Sequence, residues 1–416
     1  MLQLLRRVQF PALWLVLTAA LSACVAATPE TGAPMPTALP PEEQAPAPFT
    51  LPGTVVTVGL YQEPEMLNAY LRTQSAADLV AGFVEEGLLK VDPEGNFIPA
   101  LAAEVPSPEN GLVSDDGLTV TYPLRAGVKW SDGADFTCAD VQFTYEVVTD
   151  PASGAVSTTG YDRIESVTCA DDLTVVVRYR EVYAPYLTLF SAILPSHAAG
   201  EIADMPVWDI NWFPVGTEPF KPQEWVRNER IVLAKNEQYR DYPDLPNADY
   251  ILVRILPSRE AGKELLAAGE IDLLWDLTEA DLPTLDGIAD VVVHVAAGPS
   301  SERLVLNLAD PAAGPTDDPA AHPHPILGDL RVRQAIQAGI DKQQIVNDLL
   351  FGATRVATAE LTTGWARCDI APSVYDRALA QQLLDAAGFS DADGDGVREC
   401  NGCLYAEPGA PLRLKF

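Results

Sequence analysis

The chain has 416 residues, of which 27 are Lys or Arg and 59 are Asp or Glu, giving a formal net charge of −32 at pH 7. That balance argues against a nucleic-acid partner, whose phosphates need clustered Lys and Arg, and suits a soluble protein that stays apart from an anionic membrane face. The length is enough for two domains or more, at about 100–200 residues per domain.

Arg6 and Arg7 form a basic start, the run from Phe10 to Leu21 is apolar, and Leu21-Ser22-Ala23-Cys24 places small residues before a cysteine. This is the pattern of a bacterial lipoprotein signal. Residues 1–23 are read as the signal and Cys24 as the lipidated start of the mature protein, anchored to the cell membrane on its outer side. A retained anchor or a plain secretory signal are the alternatives, although a spanning helix needs about 20 apolar residues. Residues 24–53 are rich in proline (Pro34, Pro36, Pro40, Pro41, Pro46, Pro48) and read as an extended spacer without a core.

From Thr54 onward the composition is globular. Thr54 to Leu60 reads as a buried strand, and Ser75 to Leu89 as a helix with Leu79, Val80, Phe83, Val84 and Leu88 on one face. Strands follow at Leu118 to Leu124, Leu173 to Tyr179, Arg230 to Lys235 and Tyr250 to Leu256. Helices are expected at Ala139 to Val148, Arg259 to Ala268, Leu330 to Ile340 and Ala378 to Ala387, and Leu412 to Phe416 looks strand-like. The interleaving without a fixed period indicates mixed α/β domains and no repeat array.

Beyond Cys24 there are five cysteines, and in an exported chain disulfides are the expected state. Cys138 and Cys169 fall within one apparent domain and are expected to pair. Cys400-Asn401-Gly402-Cys403 is either a small disulfide loop or half of a zinc knuckle, and one of Cys368, Cys400 and Cys403 is left to remain single or to pair outside the chain.

Several segments, taken in order, resemble the extracytoplasmic solute-binding proteins of family 5, which serve oligopeptide, dipeptide and nickel ABC importers. They include Glu86-Gly87-Leu88-Leu89, Ser114-Asp115-Asp116-Gly117-Leu118, Leu124 to Gly133, Cys138 to Phe143 and Gly216-Thr217-Glu218-Pro219-Phe220. Gly269-Glu270-Ile271-Asp272, Asp329 to Ile336, Gly339-Ile340-Asp341 and Leu383 to Phe389 continue the series. The resemblance implies a two-lobed, class II periplasmic-binding-protein-like α/β fold with an extra subdomain. Residues 54–300 would form the N-terminal lobe, with the subdomain inserted at about 98–213, and residues 301–416 a partial C-terminal lobe. Glu218 departs from the family's small residue at that position. The family's chain continues past a segment like Leu412 to Phe416, so a C-terminal truncation is expected.

By the same resemblance the protein is a monomer that captures peptides and hands them to ABC permease and ATPase subunits, without a cofactor and without turnover. Nickel complexes or oligosaccharides are the alternative cargo, and a calcium-dependent surface hydrolase or adhesin is the alternative class. Tyr61, Glu63 and Glu65 follow the first strand, where a loop faces the interlobe cleft; the bland reading is a solvated acidic loop. Trp275 and Asp276 hold a similar position, with Trp275 either stacking on ligand or serving as a core anchor. Asn307 lies on an expected crossing strand, Ser301 to Asn307. Asp391, Asp393 and Asp395 have the spacing that begins a calcium loop, but Gly402 stands where the bidentate Glu belongs, so a structural turn is preferred. His322 and His324 read as an exposed loop, and Ser196-His197 implies no catalytic triad.

Overall fold

A computed structural model describes residues 49–285, 287–296, 301–314, 318, 320–360 and 370–415. In chain order the elements are β1 (Val55–Leu60), α1 (Ser75–Ala81), β2 (Leu89–Val91), β3 (Phe97–Pro99), β4 (Thr119–Pro123), α2 (Cys138–Thr149), β5 (Ile164–Asp171) and β6 (Thr174–Tyr179). There follow β7 (Phe220–Val226), β8 (Arg230–Lys235), β9 (Tyr250–Ile255), α3 (Arg259–Ala267), β10 (Leu273–Leu274), α4 (Leu282–Leu285), α5 (Leu330–Gly339), α6 (Lys342–Asp348), α7 (Arg377–Ala386), β11 (Phe389–Ser390) and β12 (Glu399–Cys400). Residues Leu51–Phe416 form one compact unit.

The element that positions everything else is a five-stranded mixed sheet in the order β10-β1-β9-β8-β7. β1 runs parallel to both β9 and β10, while β8 is antiparallel to β9 and to β7. The β-branched residues of β1, β8 and β9 suit a pleated, buried surface. Val58, Ile231, Leu233 and Val253 are buried in one core with Val80 and Val84. β7 is one of the two edge strands, and it carries Pro222 beside a register shift between Pro222 and Glu224. An edge is where a residue without a backbone donor is tolerated.

A second, larger core gathers residues from Tyr70 to Ile210 around the antiparallel sheet β4-β6-β5 and α2. Cys138, the first residue of α2, is bonded to Cys169 on β5, with Cα atoms 5.7 Å apart. Asp140 organises this region. Its carboxylate accepts from the Thr137 backbone N–H at 3.0 Å, from Ser196 Oγ at 2.6 Å and from Trp130 Nε1 at 3.3 Å. Two smaller cores lie in the last hundred residues, one around Val332, Phe389 and Cys400 and one between α5 and α7. Cys400 and Cys403 are bonded to each other; Cys368 lies outside the described residues.

Three expectations are corrected. The helix expected from Ser75 to Leu89 stops at Ala81. Val80, Val84 and Leu88 are buried and Leu79 and Phe83 partly so, but Val80 and Val84 serve the mixed-sheet core and Leu88 serves the larger core around β4-β6-β5, so the chain must leave the helix to reach both. Ser301 to Asn307 is not a strand; Leu304, Val305 and Leu308 are exposed, and no neighbouring strand forms a ladder with it among the described residues. Leu412 to Leu414 are likewise outside any strand: Pro411 makes one bridge to Glu399, and Leu412 and Leu414 pack on the core around Phe389.

Gly216 and Glu218 show how the Gly-Thr-Glu-Pro-Phe turn is built. A Cβ on Gly216 would collide with the Val84 carbonyl oxygen, so the turn closes only with glycine there. The carboxylate of Glu218 points inward and meets Lys90 Nζ at 2.5 Å. Lys90 is also 3.3 Å from Glu86, whose side chain is fully buried and is held by Arg240 at 2.7 and 2.8 Å and by Thr217 Oγ1 at 3.1 Å. Burial first, and the Glu86 charge second, raise the pKa of Glu218, while Lys90 opposes them.

Candidate functional site

The parallel strands β1, β9 and β10 present their carboxyl ends on one side of the mixed sheet. Because Val226 pairs with Arg230, and Arg230 with Arg254, the β7–β8 turn lies at that same end. In open α/β sheets this is the end beyond which ligands bind. It collects the loop 61–65 after β1, the first residue of α3 after β9, Trp275 and Asp276 after β10, and Arg227 in the turn.

Tyr61 is the centre of one cluster. Its hydroxyl is hydrogen-bonded to the Asp276 carboxylate and accepts from Arg259 Nη2 at 2.7 Å. The guanidinium stacks on the Tyr61 ring, 4.4 Å from its centre, and Arg259 Nε donates to the Asp276 carbonyl oxygen at 2.8 Å. The hydrogen bond to Asp276 raises the Tyr61 pKa, with desolvation and the Asp276 charge adding to it and Arg259 opposing. Asp276 takes a left-handed backbone conformation, φ 63°. That conformation is uncommon for a residue with a side chain, and the surrounding contacts hold it.

Glu63 belongs to an adjoining cluster. Trp225 Nε1 donates to its carboxylate at 2.9 Å and Arg227 Nε lies 3.3 Å from the same oxygen. Glu65 is exposed; its backbone N–H donates to Gln74 at 3.0 Å and its carbonyl accepts from Trp212 Nε1 at 3.0 Å. Trp275 packs partly buried against the mixed-sheet core, the position of an anchor. Asn307 is exposed, and its side chain caps its own turn by accepting from the Ala309 N–H at 3.1 Å.

The structure thus brings Tyr61 and Asp276 into contact, sets Glu63 on the same loop as Tyr61, and leaves Asn307 on a separate segment. Arg259 and Arg227 were not singled out in the sequence. For Arg259 a signal was present: a cation at the first position of a helix opposes the helix dipole, so its placement calls for another partner.

Other singled-out residues are occupied locally. The carboxylates of Asp391, Asp393 and Asp395 lie within 4.8 Å of one another but are exposed. They accept the backbone N–H groups of Gly394, Gly396, Asp395 and Val397, as a turn requires. His324 Nδ1 accepts from the Ile326 and Leu327 N–H groups, both at 3.0 Å. Ser196 bonds to Asp140, while His197 bonds to Asp132 at 2.8 Å, so the two neighbours serve different carboxylates. Cys24 lies outside the described residues. Among the described residues no helix is long and apolar enough to cross a membrane.

The sequence profile of the bacterial extracellular solute-binding proteins, family 5, middle part, matches residues 96–414. Protein XP55 of Streptomyces lividans is 29% identical over 368 residues, covering 86% of this chain and 62% of that protein. The oligopeptide-binding protein AppA of Bacillus subtilis is 26% identical over 364 residues, covering 85% and 63%. The chain therefore spans less than two thirds of the length of these relatives. The solved structure of AppA in complex with a nonapeptide superposes with a TM-score of 0.59 at 25% identity, covering 84% of this chain and 67% of that one. NikZ from Campylobacter jejuni, solved with Ni(L-His), shares the fold with a TM-score of 0.61 at 24% identity, covering 85% and 66%.

Proposed function

The chain belongs to the bacterial extracellular solute-binding proteins of family 5, and on that premise we propose that it captures peptides outside the cytoplasmic membrane and delivers them to the permease and ATPase subunits of an ABC importer. The observation that carries this reading is the Tyr61–Arg259–Asp276 cluster at the carboxyl end of the parallel strands, in a chain similar over most of its length to an oligopeptide-binding protein.

In this reading residues 54–300 are one lobe, with the subdomain inserted at about 98–213, and residues 301–416 belong to the other. Closure over a ligand shifts an open–closed equilibrium by the ligand's differential affinity for the closed form. An extended peptide is held through its backbone and its charged ends, which leaves side-chain selection loose. Tyr61 and Asp276 offer a phenol and a carboxylate to those groups, Glu63 and Glu65 make the loop attractive to an amino terminus, Trp275 keeps the loop in place, and Asn307 contributes from the crossing segment. Cys24 carries the lipid anchor, residues 24–53 are the tether, and the protein acts as a monomer. No turnover is assigned in this reading.

The test is calorimetry with a library of short peptides, alongside a nickel–histidine complex and an oligosaccharide, with mass spectrometry of each peptide afterwards. One-to-one binding of intact peptides is expected. Heat from only the nickel complex or only the sugar would replace the cargo, and cleaved peptide would replace the class.

A further inference from the structure

Trp212, Phe213, Trp225 and Arg227 line a cavity of about 230 Å³ beside the loop 61–65. Its walls are fixed by that loop. Trp212 Nε1 donates to the Glu65 carbonyl at 3.0 Å and Trp225 Nε1 to the Glu63 carboxylate at 2.9 Å. Arg227 Nη1 donates to the Pro64 carbonyl at 3.4 Å, and its guanidinium lies 5.1 Å from the centre of the Trp225 ring. Both indole N–H groups are thus committed to the loop, and the rings offer carbon surface to the cavity. Phe213 is 45% exposed and the Arg227 side chain 54% exposed, so this surface opens to solvent at the ligand-facing end of the sheet.

We infer that this recess is a side-chain subsite that selects peptides bearing an aromatic or large aliphatic residue; the inference rests on the peptide-binding reading above. Three features choose the class. Pockets that enclose a whole small ligand run to about 300–1,000 Å³, so this one suits a single side chain. Its aromatic walls gain from apolar surface removed from water. The Glu63 carboxylate beside it is already met by Trp225 and Arg227, and the half-exposed Arg227 guanidinium in its wall repels a cationic side chain. That guanidinium instead suits a backbone carbonyl or terminal carboxylate next to the captured side chain.

The experiment compares tetra-alanine with its four single-phenylalanine variants by calorimetry on the wild type and on Phe213→Ala and Arg227→Gln. Thermal midpoints confirm that both variants fold. At least one phenylalanine peptide should bind the wild type about tenfold more tightly than tetra-alanine, and Phe213→Ala should bring that ratio close to one. A ratio that survives Phe213→Ala, or a wild type indifferent to phenylalanine at every position, overturns the inference. If the wild type binds none of these peptides, N-acetylphenylalanine decides. A change in tryptophan emission that both variants abolish upholds the recess while the peptide reading falls, and no change in the wild type refutes the recess itself.

Discussion

Tyr61 and Arg259 lie 198 residues apart in sequence, yet Arg259 donates to the Tyr61 hydroxyl at 2.7 Å and stacks its guanidinium 4.4 Å from the ring centre. The pairing of β1 with β9 makes this contact, because Leu60 sits opposite Ile255 and each chain leaves the sheet at the same end. Asp276 completes the group from β10, on the other side of β1.

Tyr61→Phe keeps the ring under the guanidinium and removes the oxygen that Asp276 and Arg259 share. Stability should fall by about 1 kcal/mol, read from a urea titration. Peptide affinity should fall about tenfold, the equivalent of 1.4 kcal/mol, read by calorimetry. A stability loss with unchanged affinity would remove Tyr61 from the binding surface.

Arg240→Ala should be the most damaging of the ion-pair substitutions. It leaves the Glu86 carboxylate, fully buried, with only Lys90 and Thr217 as partners. Breaking a buried pair from one side costs about 3–5 kcal/mol, and the lower end applies because Lys90 remains. The urea midpoint should drop while the slope stays constant; a shift under about 1 kcal/mol would mean that Lys90 alone satisfies Glu86.

Replacing Cys138 and Cys169 by alanine opens a loop with a sequence separation of 31. A stability loss of about 2–4 kcal/mol is expected. Peptide mapping of the exported protein without reductant checks the bond itself, and two free thiols at these positions would contradict it.

Asp329 gives a pH dependence with a definite sign. Hydrogen bonds from the Arg331 side chain are the largest influence, and against the cost of burial they hold the Asp329 pKa below the ordinary carboxylate value. A carboxyl group with a depressed folded-state pKa contributes stability that is present above its unfolded value of about 3.9 and lost as pH falls through the folded value. Asp329→Ala, which also removes the acceptor for the Arg331 N–H at the start of α5, should cost about 1 kcal/mol at pH 7. The difference in thermal midpoint from wild type should narrow below pH ~4; a constant difference down to pH ~2 would mean that the Asp329 charge contributes nothing.

Cys24→Ala removes the sulfur proposed to carry the lipid. The protein should then lose metabolic labelling with fatty acid and leave the membrane fraction. Labelling that persists would disprove the anchor.

Local patterning was enough to read much of the mixed sheet. β1, β8 and β9 are short, β-branched and apolar, and their limits in the structure lie within a residue of those read from the pattern. β7 was not legible, because Lys221, Pro222 and Glu224 interrupt its alternation, and only a place at the sheet edge with a register shift makes them acceptable. The segment after Ser75 failed differently. Its periodicity reported correctly that Val80, Val84 and Leu88 are buried, but periodicity cannot say that two cores divide them.

For the candidate site the division is similar. The sequence alone marked Tyr61, Glu63 and Asp276 as chemically capable groups at strand ends, and the ordered family segments specified the fold class. It did not join Tyr61 to Asp276, place Arg259 against the phenol, or set Trp212, Phe213 and Trp225 around one recess. Those relations span 215, 198 and 162 residues for the bonds Tyr61–Asp276, Arg259–Tyr61 and Trp225–Glu63. Side-chain periodicity reports each residue's own burial, whereas the order and direction of the strands decide which distant loops share an end of the sheet.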